Sequence, residues 1–349
     1  MLVIFICVLL FFIFLYRFLV AYGDFTLMSK KQPKREEIED KVVWITGASR
    51  GIGEILAKQL ASLGAKLIIS ARNEAELNRV RTQLKGRHAP DEVMILPLDL
   101  SSGEDSLRVA VEKAESFFPD SGVDYMIHNA AFERPKTSIL DVTEGGLKAT
   151  FEVNVFGTIT LTKLLAPFML KRGHGHFVVM SSAAGKTPAP GQALYSASKY
   201  ALNGYFHTLR SELCQKGIRV TVVCPGPIET SNNAGSKVPS EVYLGVYSIL
   251  SLCVLIVAIV PLNMPCGVSQ QKRVSAERCA ELTIIAATHG LKEAWISYQP
   301  VLAVMYLVQY MPVVGYWLMD KVGKNRVEAA EQKGNTYSLS LLLGKKKAP

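Results

Sequence analysis

Tyr195 and Lys199 stand four residues apart, one helical turn, so in a helix both face the same way. A free tyrosine titrates at about 10 and is a weak base at neutral pH. An ammonium beside it favours the phenolate, which suits the pair to moving a proton. The spacing alone is common and has little specificity. A second feature adds to it: Thr46-Gly47-Ala48-Ser49-Arg50-Gly51-Ile52-Gly53, a turn of the form G-x-x-x-G-x-G. Glycines there permit a tight turn and a close backbone approach to a pyrophosphate, and a following helix start offers unpaired N–H groups to that anion. Beyond the next apolar run the chain reads Ser70-Ala71-Arg72, with no acid to take a ribose 2′-hydroxyl. Arg50 and Arg72 instead supply two guanidinium groups suited to a 2′-phosphate, which points to NADP rather than NAD.

These groups need a framework, and the pattern supplies one. VVWIT (42–46) reads as a buried strand, followed by the glycine turn and a helical stretch from Ile52 to Leu63. KLIIS (66–70) is the next strand, with a polar helix from about Asn73, and VMILPLDL (93–100) is the third. Then come YMIH (125–128), a long helix through 144–172, HFVVMSS (176–182), a helix from about Tyr195 to Gln215, and IRVTVVCP (218–225). A further helix at about 275–289 and the strand EAWIS (293–297) complete the series. Strands alternating with helices give a parallel sheet with crossovers, and apolar runs fit strands covered on both faces. The expected fold is a doubly wound α/β domain of the Rossmann type over 41–300. No internal repeat is present.

The 349 residues allow one such domain plus extensions. Hydrophobic residues make up 49%, and the excess is concentrated in particular segments. Residues 2–16 carry no charge, Arg17 interrupts, and FLVAY runs on to Tyr22, so 1–22 is long enough to cross a bilayer. No basic residue precedes the run and no small-residue cleavage site follows it, which favours a retained anchor over a signal peptide. Lys30, Lys31, Lys34 and Arg35 then place the following domain in the cytosol by the positive-inside rule, with 23–40 as a charged linker. The net formal charge of +9 suits an anionic membrane and a phosphate-rich cofactor, and no signature supports nucleic acid. Six cysteines without a C-x-x-C pair read as reduced thiols, and no cluster suggests a metal.

Taken together and in order, the turn at 46–53, Asn129-Ala130-Ala131 after the fourth strand, Ser182 thirteen residues before Tyr195, the Tyr195/Lys199 pair and Pro225-Gly226 after the sixth strand resemble the short-chain dehydrogenase/reductase family. The resemblance implies that Tyr195 gives or takes the proton of a carbonyl/alcohol pair and that Lys199 assists it and holds the nicotinamide ribose. Ser182 would orient the substrate oxygen, and Asn154 would hold a water for proton relay. Cofactor contacts implied in the same way are Gly47, Ser49, Arg50, Gly51, Ile52, Gly53, Arg72, Asp99, Leu100, Asn129, Ala130, Tyr195, Lys199, Pro225, Gly226, Ile228 and Thr230. Ala131 departs from the usual glycine, and His128, replacing an asparagine, reads as a core or sheet histidine. Leu291–Ser297 and the apolar run after it are similar to the microsomal member 7 subgroup, which implies NADPH and lipophilic carbonyls such as steroids and retinoids. Family likeness also implies a homo-oligomer through the long helices.

Three segments read less simply. Within 231–271, where a substrate lid is expected, residues 242–262 are apolar enough for a second span. They read equally as a buried or interfacial element; a valine codon begins with GT and a glutamine codon can end in AG, so Val242 and Gln270 also fit the edges of a retained intron. The run 301–319, broken by Pro312, reads either as an interfacial helix or as a helix covering the core, and with it 301–349 forms a membrane-associated tail. The end Lys346-Lys347-Ala348-Pro349 resembles a dilysine signal, implying the endoplasmic reticulum with a cytosolic C-terminus, and reads equally as a solvated basic tail. The expected activity is NADP(H)-dependent interconversion of a lipophilic carbonyl and alcohol. Alternatives are a 3-ketosphinganine-type lipid ketone reductase and a non-catalytic NADP-binding scaffold.

Overall fold

The computed structural model describes residues 2–133, 137–229 and 273–331. The expectations placed on Thr230, on 231–271 and on the C-terminal lysines fall outside the described residues. An apolar helix, α1 (Leu2–Val20), opens the chain, followed by a single turn, α2 (Phe25–Met28). The domain then proceeds as β1 (Val42–Thr46), α3 (Gly51–Ser62), β2 (Lys66–Ser70), α4 (Glu74–Gln83), β3 (Met94–Ile95), α5 (Glu104–Phe117) and β4 (Tyr125–His128). Next come α6 (Glu144–Phe151), α7 (Thr158–Arg172), β5 (Gly175–Met180), α8 (Ala193–Leu213), β6 (Ile218–Pro225) and β7 (Ile228–Glu229). The last elements are β8 (Val274–Ser275), α9 (Ala276–Thr288), β9 (Glu293–Ile296), α10 (Val301–Tyr310) and α11 (Pro312–Glu331). Seven strands form one parallel sheet in the order β3-β2-β1-β4-β5-β6-β9, and β7 pairs with β8 beside it.

Side chains of a strand alternate between faces. Val42 and Trp44 therefore join one core layer, with Met126, Phe177, Leu161 and Phe206, under α5, α7 and α8. Val43 and Ile45 join the other, with Leu56, Leu60, Ile69 and Ile285, under α3, α4 and α9. Burying each of these large side chains stabilises the fold by about 1.5–3 kcal/mol. Three of the helices start where a side chain accepts from a free N–H: Asn73 from Glu76 for α4, Thr143 from Gly146 for α6, Ser275 from Arg278 for α9. The result is the Rossmann-type doubly wound architecture expected.

Three departures are instructive. The strand expected at 93–100 is regular only at Met94–Ile95, although the Leu96 and Leu98 N–H groups still donate to Ile69 and Ala71. It lies at the sheet edge, where Pro97, with no N–H, is tolerated. The helix expected to run unbroken through 144–172 contains a π-helical turn, Glu152–Gly157, which turns Asn154 inward. Residues 23–40, expected as a linker, are packed: Leu27 and Ile38 are buried, and Asp24 and Trp295 exchange backbone and side-chain hydrogen bonds. Burial raises the Asp24 carboxyl above its ordinary value against the pull of those donors.

At the two ends of the chain, Phe18 and Phe25 pack with Tyr306 of α10, and Gln299 donates to the Phe18 carbonyl. Phe5, Leu10, Phe11 and Phe14 of α1 are exposed, as are Tyr310, Met311, Val313 and Trp317 where α10 gives way to α11 at Pro312. Among the described residues, one stretch, Glu144–Arg172, is long and apolar enough to cross a membrane, but 56% of its apolar window is buried in the domain, as befits a core helix; Ile4–Val20 of α1 is apolar but shorter.

Candidate active site

The site is assembled at the carboxyl ends of β1, β4, β5 and β6, where an open parallel sheet binds its ligands. The turn after β1 is held by backbone sterics. A Cβ at Gly53 would come 2.2 Å from the Gly47 carbonyl oxygen, so only glycine lets α3 start this close to the strand. Gly51 has φ +58°, and nothing lies within 4 Å of where its Cβ would be. That face of the turn is therefore open beside the first N–H groups of α3, as a bound pyrophosphate would require. Asn129 Nδ2 donates to the carbonyls of Thr46 (3.0 Å) and Gly47 (3.2 Å), while the N–H groups of Asn129 and Ala130 both donate to Thr46 Oγ1. Thr46 thus ties the β4 end to the turn.

Arg50 precedes α3 and Arg72 follows β2, and both are exposed. Ser70 cannot replace the missing acid, since its hydroxyl accepts from the Trp44 indole at 2.8 Å. Burial works to raise Asp99, but hydrogen bonds from the Ser101 N–H and hydroxyl, with the charge of Arg72, hold it below its usual value. Leu100 is buried, and its carbonyl lies where a Cβ at Gly157 would be.

Lys199 is 2% exposed, and its Nζ donates to the Met180 carbonyl at 2.7 Å. Nζ also lies 5.4 Å from the centre of the Tyr195 ring. Burial lowers the ammonium to about 8, with Cys224 and Glu133 opposing in part. Ser182, just past β5, accepts from the Ala184 N–H at 3.1 Å, and its own hydroxyl makes only a 3.4 Å contact to the Pro225 carbonyl. Ser181 points the other way, buried, towards the Lys199 carbonyl. A cavity of about 250 Å³ abuts Tyr195, lined by Thr137, Val142, Gly146, Gln192 and Leu194 among others.

Asn154 is 1% exposed. Its Oδ1 accepts from the Phe132 N–H at 2.6 Å, and its Nδ2 donates to the Phe132 carbonyl (3.0 Å) and Ser198 Oγ (3.1 Å). The carboxamide thus clamps the segment that leaves β4. His128 is a buried core residue: Thr162 donates to Thr158, so its oxygen accepts from His128 Nε2, and burial lowers the ring to about 3. Gly226 donates to the Ile296 carbonyl at 2.8 Å and Ile228 lies in β7, so the loop after β6 is fastened to β9 and β8 up to the limit of the described residues. Ile52 packs on the α3 side of the core.

Several residues escaped the sequence reading. Glu133 hydrogen-bonds Gln192 beside the cavity and acts on Lys199. Glu293, at the start of β9, binds Lys186 (2.7 Å) and His207 (2.6 Å), tying the segment after Ser182 to the sheet. Burial raises its carboxyl, yet donors from His207, Lys186 and Trp295 bring it to about 2. No spacing signal marks these partners, because they meet only through the tertiary fold.

The short chain dehydrogenase family pattern matches residues 41–239, and this chain belongs to that family of oxidoreductases acting on CH–OH groups. It is similar to dehydrogenase/reductase SDR family member 7 of Homo sapiens, with 36% identity over 320 residues, covering 90% of this chain and 88% of the relative. The Mus musculus protein of the same name is 34% identical, with the same coverage. An 11-beta-hydroxysteroid dehydrogenase A of Sesamum indicum is 36% identical over 211 residues, 58% of each chain. Among solved structures, 3-ketoacyl-(acyl-carrier-protein) reductase from Brucella melitensis complexed with NADH superposes with a TM-score of 0.57 at 25% identity, covering 72% of this chain and 91% of its own. A metagenomic short-chain oxidoreductase in complex with NADP gives 0.50 at 32% identity, covering 55% and 86%.

Proposed function

We propose that this protein interconverts carbonyl and alcohol groups on lipophilic substrates with NADP(H), at the cytosolic face of the endoplasmic reticulum membrane. The observation that carries the reading is the buried Lys199 ammonium beside the Tyr195 ring, which itself lines a cavity, at the carboxyl end of the sheet. The open face over Gly51 and the free α3 start fit a dinucleotide, and Arg50 and Arg72, with no acid after β2, suit a 2′-phosphate.

When bound, the cofactor gives or takes the hydride. The protein supplies the proton and the positions. In reduction Tyr195 donates its hydroxyl proton to the carbonyl oxygen, and the Lys199 ammonium stabilises the phenolate left behind. Lys199 also holds the nicotinamide ribose. Ser182, whose hydroxyl is only loosely held, hydrogen-bonds the same oxygen and steadies its developing charge. Asn154 keeps the Phe132 segment in place; with its carboxamide engaged, a relay water would meet its main-chain carbonyl. In oxidation each role reverses.

The exposed apolar side of α1 supports an anchor, and the exposed aromatics at the α10–α11 junction support a tail resting in the interface. Gln309 of α10 donates to the Lys186 carbonyl, so that tail adjoins the segment between Ser182 and Tyr195. Such contact suits a substrate drawn from the bilayer. The steroid dehydrogenase name of the Sesamum relative agrees with a lipophilic alcohol or ketone.

The test is oxidation of NADPH and of NADH by the full chain in detergent micelles, against steroid, retinoid, quinone and sphingoid ketones. Turnover of one lipophilic class with a clear preference for NADPH is expected. Preference for a long-chain keto-base would favour the sphingoid reductase alternative. Protein that binds NADPH and turns over no carbonyl would overturn the proposal in favour of the scaffold.

A further inference from the structure

Arg79 lies on α4, outside the motifs that define the site, yet its guanidinium reaches back to the turn after β1. Its Nη2 donates to the Ser49 carbonyl at 2.9 Å and to Glu54 Oε2 at 2.8 Å. Its Nη1 donates to Glu54 Oε1 at 3.2 Å, and its Nε to Glu76 Oε2 at 2.8 Å. Lys58 approaches Glu54 from the other side, Nζ to Oε1 at 2.6 Å. This is a planar fork on a carboxylate, extended to a backbone carbonyl of the turn itself. Arg79 first, then Lys58, hold Glu54 below its ordinary carboxyl range against its partial burial.

Two consequences follow. In a trans peptide the carbonyl and the next N–H point to opposite sides. Holding the Ser49 carbonyl towards α4 therefore turns the Arg50 N–H away from α4. Glu54 also occupies the first turn of α3, the positive end of that helix. A bare carboxylate there would repel an incoming pyrophosphate, and the two cations neutralise it.

We propose that Arg79 is a positioning residue for the cofactor: it sets the Ser49–Arg50 peptide of the turn and cancels the Glu54 charge at the helix start. The proposal rests on the reading that this turn takes a dinucleotide. It is indifferent to the 2′-phosphate, since the pyrophosphate is common to NADPH and NADH.

The experiment measures NADPH and NADH dissociation constants, by cofactor fluorescence, on the full chain in detergent micelles. The variants are Arg79→Met and the double change Arg79→Met with Glu54→Gln, each checked by thermal melting. Arg79→Met should weaken NADPH roughly tenfold, the scale of one charge-assisted hydrogen bond, with kcat at saturating cofactor within about twofold. The double variant should recover part of that loss, and the deficit of the single variant relative to the wild type should grow as salt is lowered while that of the double variant does not. A helix tie with no bearing on the cofactor would show neither the recovery nor the salt dependence. Unchanged affinity in folded Arg79→Met, or a double variant no tighter than the single, would overturn the proposal. If the methionine variant does not fold, Arg79→Lys keeps the charge without the fork: roughly threefold weaker binding is expected, and unchanged binding overturns it. Wild-type protein that binds NADH as well as NADPH contradicts the 2′-phosphate reading alone. Wild-type protein that binds neither contradicts both.

Discussion

The turn after β1 is made of backbone, and the cavity beside Tyr195 is made of side chains. In the first, a Cβ at Gly53 would collide with the Gly47 carbonyl, and the Asn129 carboxamide and Thr46 hydroxyl hold main-chain atoms. In the second, the Val142 and Leu194 side chains help frame a volume, and neither has a hydrogen bond that dictates its identity. Backbone sterics demand particular residue types, whereas the shape of a cavity accepts many. One region should therefore fail abruptly when altered and the other should drift.

The sharpest break is Gly53→Ala. The methyl group meets main-chain atoms, so either α3 or β1 must shift. Binding of NADPH should fall by about a hundredfold or more, with a loss of stability of about 2–4 kcal/mol. Titration of NADPH and thermal melting would show it, and near-normal affinity would remove the contrast.

Lys199→Met comes next and joins the two regions. Carbonyl reduction should fall by about 10²–10³-fold, the range of a lost acid–base partner. Stability should rise at pH 7, because burial has lowered the ammonium from 10.5 to about 8 and the fold bears that cost while the group is charged. The gain is at most about 3 kcal/mol, less what the lost bond to Met180 contributes. Between about pH 8 and 10.5 the unfolded chain binds more protons, so wild-type stability rises with pH through that window. Reduction by the wild type should decline above about pH 8 as the ammonium is lost, and melting curves across pH would separate the two effects.

The smallest effect belongs to the cavity. Val142→Phe should raise the KM of a bulky ketone several-fold, about 1 kcal/mol, and leave NADPH affinity alone. A change confined to NADPH affinity would mean that the cavity does not receive substrate.

The same contrast explains what could be read from the sequence. The order of strands and helices, the glycine turn and the Tyr195/Lys199 spacing were legible because each rests on a local rule of period, sterics or helical geometry. The π turn at Glu152–Gly157 was not, since it depends on Asn154 finding the Phe132 backbone 22 residues away. Packing of Leu27 and Ile38 was hidden by the charges around them, which suggested a linker. Met94–Ile95 was overextended because the apolar run through Leu100 continues past the point where an edge strand loses its regular partners. Arg79, Glu133 and Glu293 carry no local signature of these roles: the partners that tie them to the site, Ser49 and Glu54, Gln192, and Lys186 and His207, are distant in sequence and meet them only across helix and sheet.

The pairing of Tyr195 with the buried Lys199 is best tested by Tyr195→Phe, measured for carbonyl reduction at saturating NADPH with NADPH affinity followed alongside. The ring and its contact with Lys199 remain, and only the hydroxyl proton is lost. Turnover lower by about 10³-fold or more with cofactor binding unchanged is the expected result. A variant that still reduces the carbonyl within about tenfold of the wild-type rate would contradict Tyr195 as the proton donor.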